Sequence, residues 1–433
     1  MRRMLNRIKL GHLDYLARLV HLDYLDNLVH LARLVHLVRL APIALLLLLL
    51  AACIREPELH LYRGARPVME MPMVDLDLDV YWNYEIGYGI VYDWRAEWYY
   101  GWDEQDIYNH RGPIGYTEPK VFNLRRYYTG DVPYAHHTIA PPADPPINGH
   151  HFQGEYDWGF WDILVWNETE SSDGIVSLNF DEKTSLDSVT AYTNPTMVAS
   201  RYNAPKFTRA FYEPEGLFSA YDRAMEINRD LDGFEYDAER NVWVKQLRML
   251  LKPITYIYLL QVILHNNKGR ITEALGPGMI SGFARSTNVN TGRGGNDAIS
   301  LSYQARMKKN IPLVGYYPDK PEEPTPTTEY ADVIGSRIMT FGICDIIANN
   351  VKDASEVHDA HRHYLDVDVQ FYNGMDSTIV FDVTDQVRSR YKGGVITVEL
   401  DVDTVPIPKR RGGSGFNAVV KDFEDGGTHE FEM

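Results

Sequence analysis

From residue 73 onward, apolar and polar residues alternate with a period of two over most of the chain. Residues 74–82 set the pattern. Leu76, Leu78 and Val80 fall on one side, and Asp75, Asp77 and Asp79 on the other. This alternation predicts a half-buried strand. Its carboxylates, spaced about 6.8 Å apart along the strand, read as a solvated acidic face. Similar strand-like runs occupy residues 120–128, 155–168, 174–180 and 185–193, broken by a proline-rich loop at 141–148. One stretch departs from the pattern. Between residues 214 and 228, Leu217, Phe218, Tyr221 and Met225 are spaced like a helix face, which predicts a short helix. Strand signals resume at 242–251 and 254–265, then at 279–289, 298–305, 336–341, 364–372, 378–383 and 395–402, with an exposed Pro/Glu/Thr-rich loop at 318–328. Gly and Asn turns between short strands predict an all-β fold. The expected architecture is two tandem antiparallel β-sandwich domains, residues 73–212 and 241–433, joined by a bridging helix and loop at 213–240.

The N-terminal segment obeys a different rule. Ala41-Pro-Ile-Ala is followed by six leucines. This apolar run is too short to span a bilayer, which takes about 20 residues. With Arg39 just before it and Leu50-Ala51-Ala52-Cys53 just after, it reads as an export signal. Small residues ahead of a cysteine resemble the bacterial lipobox, in which the thiol of Cys53 accepts lipid. Two or more acyl chains hold a protein stably on a membrane where one is marginal. Residues 1–52 are therefore assigned as signal and leader, and 53–72 as a tether. Upstream, leucine recurs every third residue from Leu13 to Leu40. That spacing matches neither the 3.6-residue helical repeat nor the 3.5-residue coiled-coil repeat. The first 37 or so residues read as a translated repeat ahead of a start at Val38.

Charge narrows the partners. The chain carries a net charge of −17, with +4 in the first 52 residues and −21 in the remainder. An acidic body repels phosphate backbones, which argues against nucleic acid. The only cysteines are Cys53 and Cys344. Once Cys53 is acylated, Cys344 has no partner for a disulfide and reads as a buried structural residue.

Catalytic patterns are not found. Gly276-Pro-Gly278 lies in no strand–turn–helix context, and no phosphate-binding loop or nucleophile elbow occurs. His358, His361 and His363 cluster, but without the spacing of a zinc site they read as surface histidines. No enzyme and no cofactor is expected. One segment has calcium-loop spacing: Asn228, Asp230, Asp232, Gly233 and, at the twelfth place, Glu239. Asn at the first place, Glu235 in an apolar position and the strand-like segment that follows favour a solvated acidic turn. Residues 81–108 include eleven Trp or Tyr. These rings can pack a β core or stack on sugars, and Trp94, Trp98 and Trp102 are the candidates for a binding surface.

Several stretches together resemble the Bacteroides-type lipoproteins of fimbrillin-like character. They are the acidic-aromatic 74–102 region, Leu217-Phe-Ser-Ala-Tyr221, Lys252-Pro-Ile-Thr-Tyr-Ile-Tyr-Leu-Leu-Gln261, Leu365-Asp-Val and Asp382-Val-Thr-Asp-Gln-Val387. The resemblance implies transthyretin-like, Greek-key sandwiches and a lipid site at Cys53. It further implies an outer-membrane envelope location and a structural or adhesive role, with other fimbrial subunits joining by strand addition. The alternative is a surface glycan-binding lipoprotein that uses the 81–108 segment.

Overall fold

The computed structural model describes residues 71–82, 85–90, 93–103, 113–133, 150–169, 177–181, 185–196, 210–314, 316–317, 320–324, 327–409, 419–420 and 431–432. Cys53, the leader and the loop at 141–148 lie outside the described residues. Residues 71–433 form one compact unit.

The unit is all-β and is built from stacked sheets. A seven-stranded sheet contains β1 (Met73–Trp82), β2 (Phe122–Gly130), β3 (His151–Glu155), β4 (Gly159–Asn167), β8 (Phe218–Ile227), β9 (Glu235–Asp237) and β10 (Val242–Pro253). Its order is β2-β4-β8-β10-β1-β3, with β9 on β10. A four-stranded sheet is made of β11 (Tyr256–His265), β15 (Arg306–Pro312), β18 (Tyr330–Thr340) and β21 (Gly394–Asp401), in the order β15-β18-β11-β21. A five-stranded sheet combines β7 (Ala210–Phe211), β12 (Ile271–Ala284), β14 (Ala298–Tyr303), β19 (Tyr364–Phe371) and β20 (Asp376–Asp382), in the order β20-β19-β12-β14-β7. A small sheet joins β5 (Leu178–Asp181) and β6 (Thr190–Thr193) to β13 (Ser286–Asn288). Short pairs are formed by β16 (Tyr316–Tyr317) with β17 (Lys320–Pro324), and by β22 (Val419–Val420) with β23 (Phe431–Glu432). Among the described residues, the strands are accompanied by two short α-helices, α1 (Trp94–Glu97) and α2 (Thr384–Ser389), and by short 3-10 turns.

The apolar run of β11, Tyr-Ile-Tyr-Leu-Leu-Gln-Val-Ile-Leu, shows why the sheets stack. Tyr258, Leu260, Val262 and Leu264 point into a core shared with Ile280, Phe283, Leu365 and Val367 of the five-stranded sheet. Ile257 and Leu259, on the opposite face, join a second core with Val74, Leu76, Phe218 and Leu251 of the seven-stranded sheet. A strand covered on both faces has no need of polar alternation. Each fully buried side chain of this kind contributes about 1.5–3 kcal/mol.

Three expectations are corrected. The helix expected within 214–228 is strand β8. Leu217 and Phe218 point to opposite sides, Leu217 into a third core with Leu164 and Trp166 and Phe218 into the second. Ala224, at a φ of 58°, shifts the alternation so that Met225 and Ile227 turn inward. Apolar residues serving two cores had imitated one helical stripe. Second, pairing is not purely antiparallel, because β1 runs parallel to β10 and β11 parallel to β21. Third, the loop expected at 318–328 contains β17.

Candidate functional site

The aromatic segment packs mainly as core. Trp98 is 4% exposed, and its indole N–H donates to the Gly101 carbonyl at 3.2 Å. Trp94 and Trp102 are half-buried against the same second core. Tyr100 lies flat on Gly335, where a Cβ would sit 2.2 Å from the ring, and Lys308 Nζ is 4.3 Å from the ring centroid on β15. Gln261, buried in β11, fixes the segment. Its amide donates to the Glu97 carbonyl at 2.7 Å and accepts from Tyr99 N–H at 3.1 Å. Trp98 therefore turns its faces to protein, and the three tryptophans do not form one open platform.

The acidic face of β1 is only partly solvated. Asp75 is 1% exposed, which corrects the expectation for that residue. Arg240 Nη1 reaches its carboxylate at 2.5 Å and His151 Nδ1 at 3.3 Å. Asp79 keeps the expected exposed position and meets Arg248 Nε at 3.4 Å. In the calcium-like segment, the Asn228 amide donates to Asp232 at 3.3 Å, while the Asp237 carboxylate accepts the Glu239 and Arg240 backbone N–H groups. These side chains close turns among themselves. Among the described residues, no group of three or more His, Cys, Asp or Glu side chains is placed to hold a metal.

His358 is exposed as expected, but His363 is buried, correcting its assignment to the surface. Its Nε2 lies 2.6 Å from Asp359 Oδ2 and its Nδ1 lies 3.0 Å from the Ser281 carbonyl oxygen. Both ring nitrogens thus face oxygen acceptors. Burial works to raise the Asp359 carboxyl. Hydrogen bonds from His363 and the His361 amide, with the charges of His363 and Arg388, outweigh it and hold Asp359 below its usual range. Cys344 is buried as expected. Burial, with nearby carboxylates, pushes its thiol up to about 12, which leaves it without thiolate character near neutrality.

Sheet ends, which composition and motif do not reveal, are the more informative feature. The end of the four-stranded sheet at β21 is guarded. Gln386 of α2 donates to the Thr397 carbonyl at 2.8 Å and accepts the Thr397 N–H at 2.9 Å, imitating a neighbouring strand. At the other end, β15 carries Arg306, Lys308 and Lys309 and a register shift between Lys308 and Ile311. Charges and bulges of this kind discourage edge pairing.

The seven-stranded sheet ends differently. The bonds Leu78 N–H to His150 O (2.7 Å) and Tyr156 N–H to Pro72 O (3.2 Å) bracket the β1–β3 ladder. Antiparallel alternation then directs the backbone groups of Phe152 and Gly154 toward β1, and those of His151, Gln153 and Glu155 outward. The sheet curls until its end strands β2 and β3 meet through side chains. Arg126 Nη1 of β2 donates to the Glu155 carbonyl at 2.5 Å, and the Phe122 and His150 rings lie 5.2 Å apart. Arg126 is buried, stacked 4.4 Å from the Tyr156 ring centroid and 5.5 Å from that of Trp161. A Cβ at Gly154 would lie 2.9 Å from Arg126 Nη1, so glycine makes room for the guanidinium.

No family model and no curated protein matches the chain. Among solved structures, it is similar to a candidate adhesin from Bacteroides ovatus, at 13% identity and a TM-score of 0.41, covering 79% of this chain and 98% of the other. It is similar to a second candidate adhesin, from Bacteroides thetaiotaomicron, at 9% identity and a TM-score of 0.37, covering 78% and 94%. The fimbrial anchor protein Mfa2 of Porphyromonas gingivalis is similar at 10% identity and a TM-score of 0.35, covering 83% and 95%. Among the described residues, no helix is long and apolar enough to cross a membrane.

Proposed function

We propose that this chain is a fimbrillin-like protein of the cell envelope, held on the outer membrane by lipid at Cys53 and structural or adhesive in role. In this reading the outer edge of β3, which pairs with no further strand among the described residues, accepts a strand from a neighbouring subunit. The observation that carries it is the contrast between sheet ends. β21 is capped by Gln386 and β15 is charged and bulged, whereas β3 turns the backbone groups of Gln153 outward, with the Glu155 carbonyl held by the Arg126 side chain of β2. An incoming strand would take over the carbonyl of Glu155 and displace Arg126, gaining main-chain hydrogen bonds along the edge. The lipobox-like stretch ending at Cys53 supports the anchor, and the sequence resemblance supports the class.

Gln153→Pro tests this reading. Proline removes one outward N–H and leaves the inward bonds to β1 in place. The expected outcome is that wild-type chain forms multimers resistant to SDS on cells, while the Gln153→Pro chain reaches the envelope at the same level as monomer. Monomers alone in the wild type, or unchanged multimers in the variant, would overturn strand addition at β3.

A further inference from the structure

The chain passes from the seven-stranded to the four-stranded sheet between Pro253, at the end of β10, and Tyr256, at the start of β11. Those two residues line a surface depression of about 170 Å³ together with Glu85, Tyr88, Tyr116, Asn349 and Lys392. Its walls are firmly held. The Tyr116 hydroxyl donates to the Thr255 carbonyl at 2.7 Å, and its ring centroid lies 5.1 Å from that of Phe218. Asn349 Nδ2 donates to the Pro253 carbonyl at 3.0 Å, which uses one of its two amide hydrogens. The outer wall is a turn. Tyr88 N–H bonds to the Glu85 carbonyl at 3.2 Å, and Ile90 N–H to the Gly87 carbonyl at 2.9 Å. Gly87 and Gly89 take φ of 72° and 78°, which glycine reaches without steric strain. Ile86 anchors this turn in the second core, and Ile90 packs against the first.

Two polar groups of the lining are left wanting. Tyr256 is 1% exposed, and its hydroxyl is buried with no hydrogen-bond partner among the described residues. Such unpaired groups are rare in folded proteins and call for a reason. Burial, and then the charge of Lys252, hold the Lys392 ammonium below the usual lysine range. Both effects disfavour its charged form, so an acceptor oxygen beside it would be a gain. A Cβ at Gly89 would lie 3.2 Å from Lys392 Nζ, so glycine keeps that space clear. At the rim, Tyr88 is 38% exposed and Glu85 is exposed.

We infer that this depression is a binding site for a single neutral pyranose ring. The ligand must offer oxygens that donate and accept, because a tyrosine hydroxyl does both, a lysine ammonium only donates and a carboxylate only accepts. Sugar hydroxyls serve all three. The flat C–H face of the ring suits the Tyr88 ring. Size sets the limit at one ring, since pockets for larger ligands run to roughly 300–1,000 Å³. Charge argues against ions. An anion meets Glu85 and a strongly acidic protein, and a cation meets Lys392 and Lys252. Glu85 and Tyr88 belong to the aromatic 81–108 segment, which thus enters the site through a tyrosine and not through its tryptophans.

The site shares no residue with the β3 edge, so the two proposals fail separately. The test uses the full chain and saturation-transfer NMR with the methyl β-glycosides of glucose, galactose and N-acetylglucosamine and with methyl α-mannoside. At least one is expected to bind, with a dissociation constant on the order of 1 mM. Tyr88→Ala should weaken it by about tenfold and Tyr256→Phe by about fivefold. Because the Tyr256 hydroxyl is unpaired, its removal should hold or raise the melting midpoint, which a hydroxyl serving the fold would not do. Tyr88 stands at the surface, so its variant should keep the wild-type midpoint. Signal from none of the four glycosides would overturn the inference. So would equal signal from sorbitol, which has the hydroxyls without the ring face, or binding of glucuronate or choline alone. Unchanged binding in both variants, or a lower midpoint in Tyr256→Phe, would overturn it as well. Sugar binding that persists in Gln153→Pro would support a site separate from the β3 edge.

Discussion

At the scale of single residues, the buried charges decide how the protein responds to pH. His363 and Asp359 have fully covered side chains 2.6 Å apart. Removing one partner strands the other in a low-dielectric interior. His363→Leu should therefore cost about 3–5 kcal/mol in denaturant unfolding, and Asp359→Asn in the same chain should restore part of it. Asp359 is held below its usual range, so its stabilising contribution is present above the unfolded carboxyl pKa and is lost as pH falls through the folded value. Asp366 behaves oppositely. Burial pushes it up to about 8, against the bond it accepts from the Met279 N–H. Its protonated form is favoured in the fold, so its contribution is full below about pH 4 and fades as pH rises toward 8. Asp366→Asn keeps an acceptor for Met279 and should flatten that decline, raising the melting midpoint at pH 8 and leaving it nearly unchanged at pH 4.

At the scale of elements, strand positions were largely legible because one face of most strands is buried and the other wet. The strands predicted at 364–372, 378–383 and 395–402 lie within a few residues of β19, β20 and β21. Legibility failed where a strand divides two cores, as at Leu217-Phe218, because the periodic signal then has no single face to report. It also failed for α2, whose six residues are too few to establish a helical period. Yet α2 supplies Gln386, whose amide closes the β21 edge. Gln386→Ala should leave Thr397 open to pairing. The expected result is faster concentration-dependent aggregation by light scattering, with a loss of about 1 kcal/mol in stability. An unchanged aggregation rate would mean that the edge is guarded by something other than this amide.

At the scale of the whole molecule, the all-β class was legible along the chain and the order of the sheets was not. Local alternation carries no information about which strand lies beside which. Nothing in residues 74–82 announces that their neighbour would be β10, more than 160 residues later. The proposed docking edge was hidden for the same reason, since Gln153 gains meaning only because β3 stands at the end of a sheet. The tryptophans that drew attention in the sequence serve mostly to seat a segment on β11 and β18, where Gln261 and Gly335 receive it.

The parallel pairing of β1 with β10 has a mechanical consequence. Register runs unbroken from Val74↔Trp243 to Trp82↔Leu251. A pull entering at the start of β1 and leaving past the end of β10 would slide the two strands along each other and load all of those positions together. A hairpin dragged from its open end gives way one rung at a time; this arrangement resists as a block.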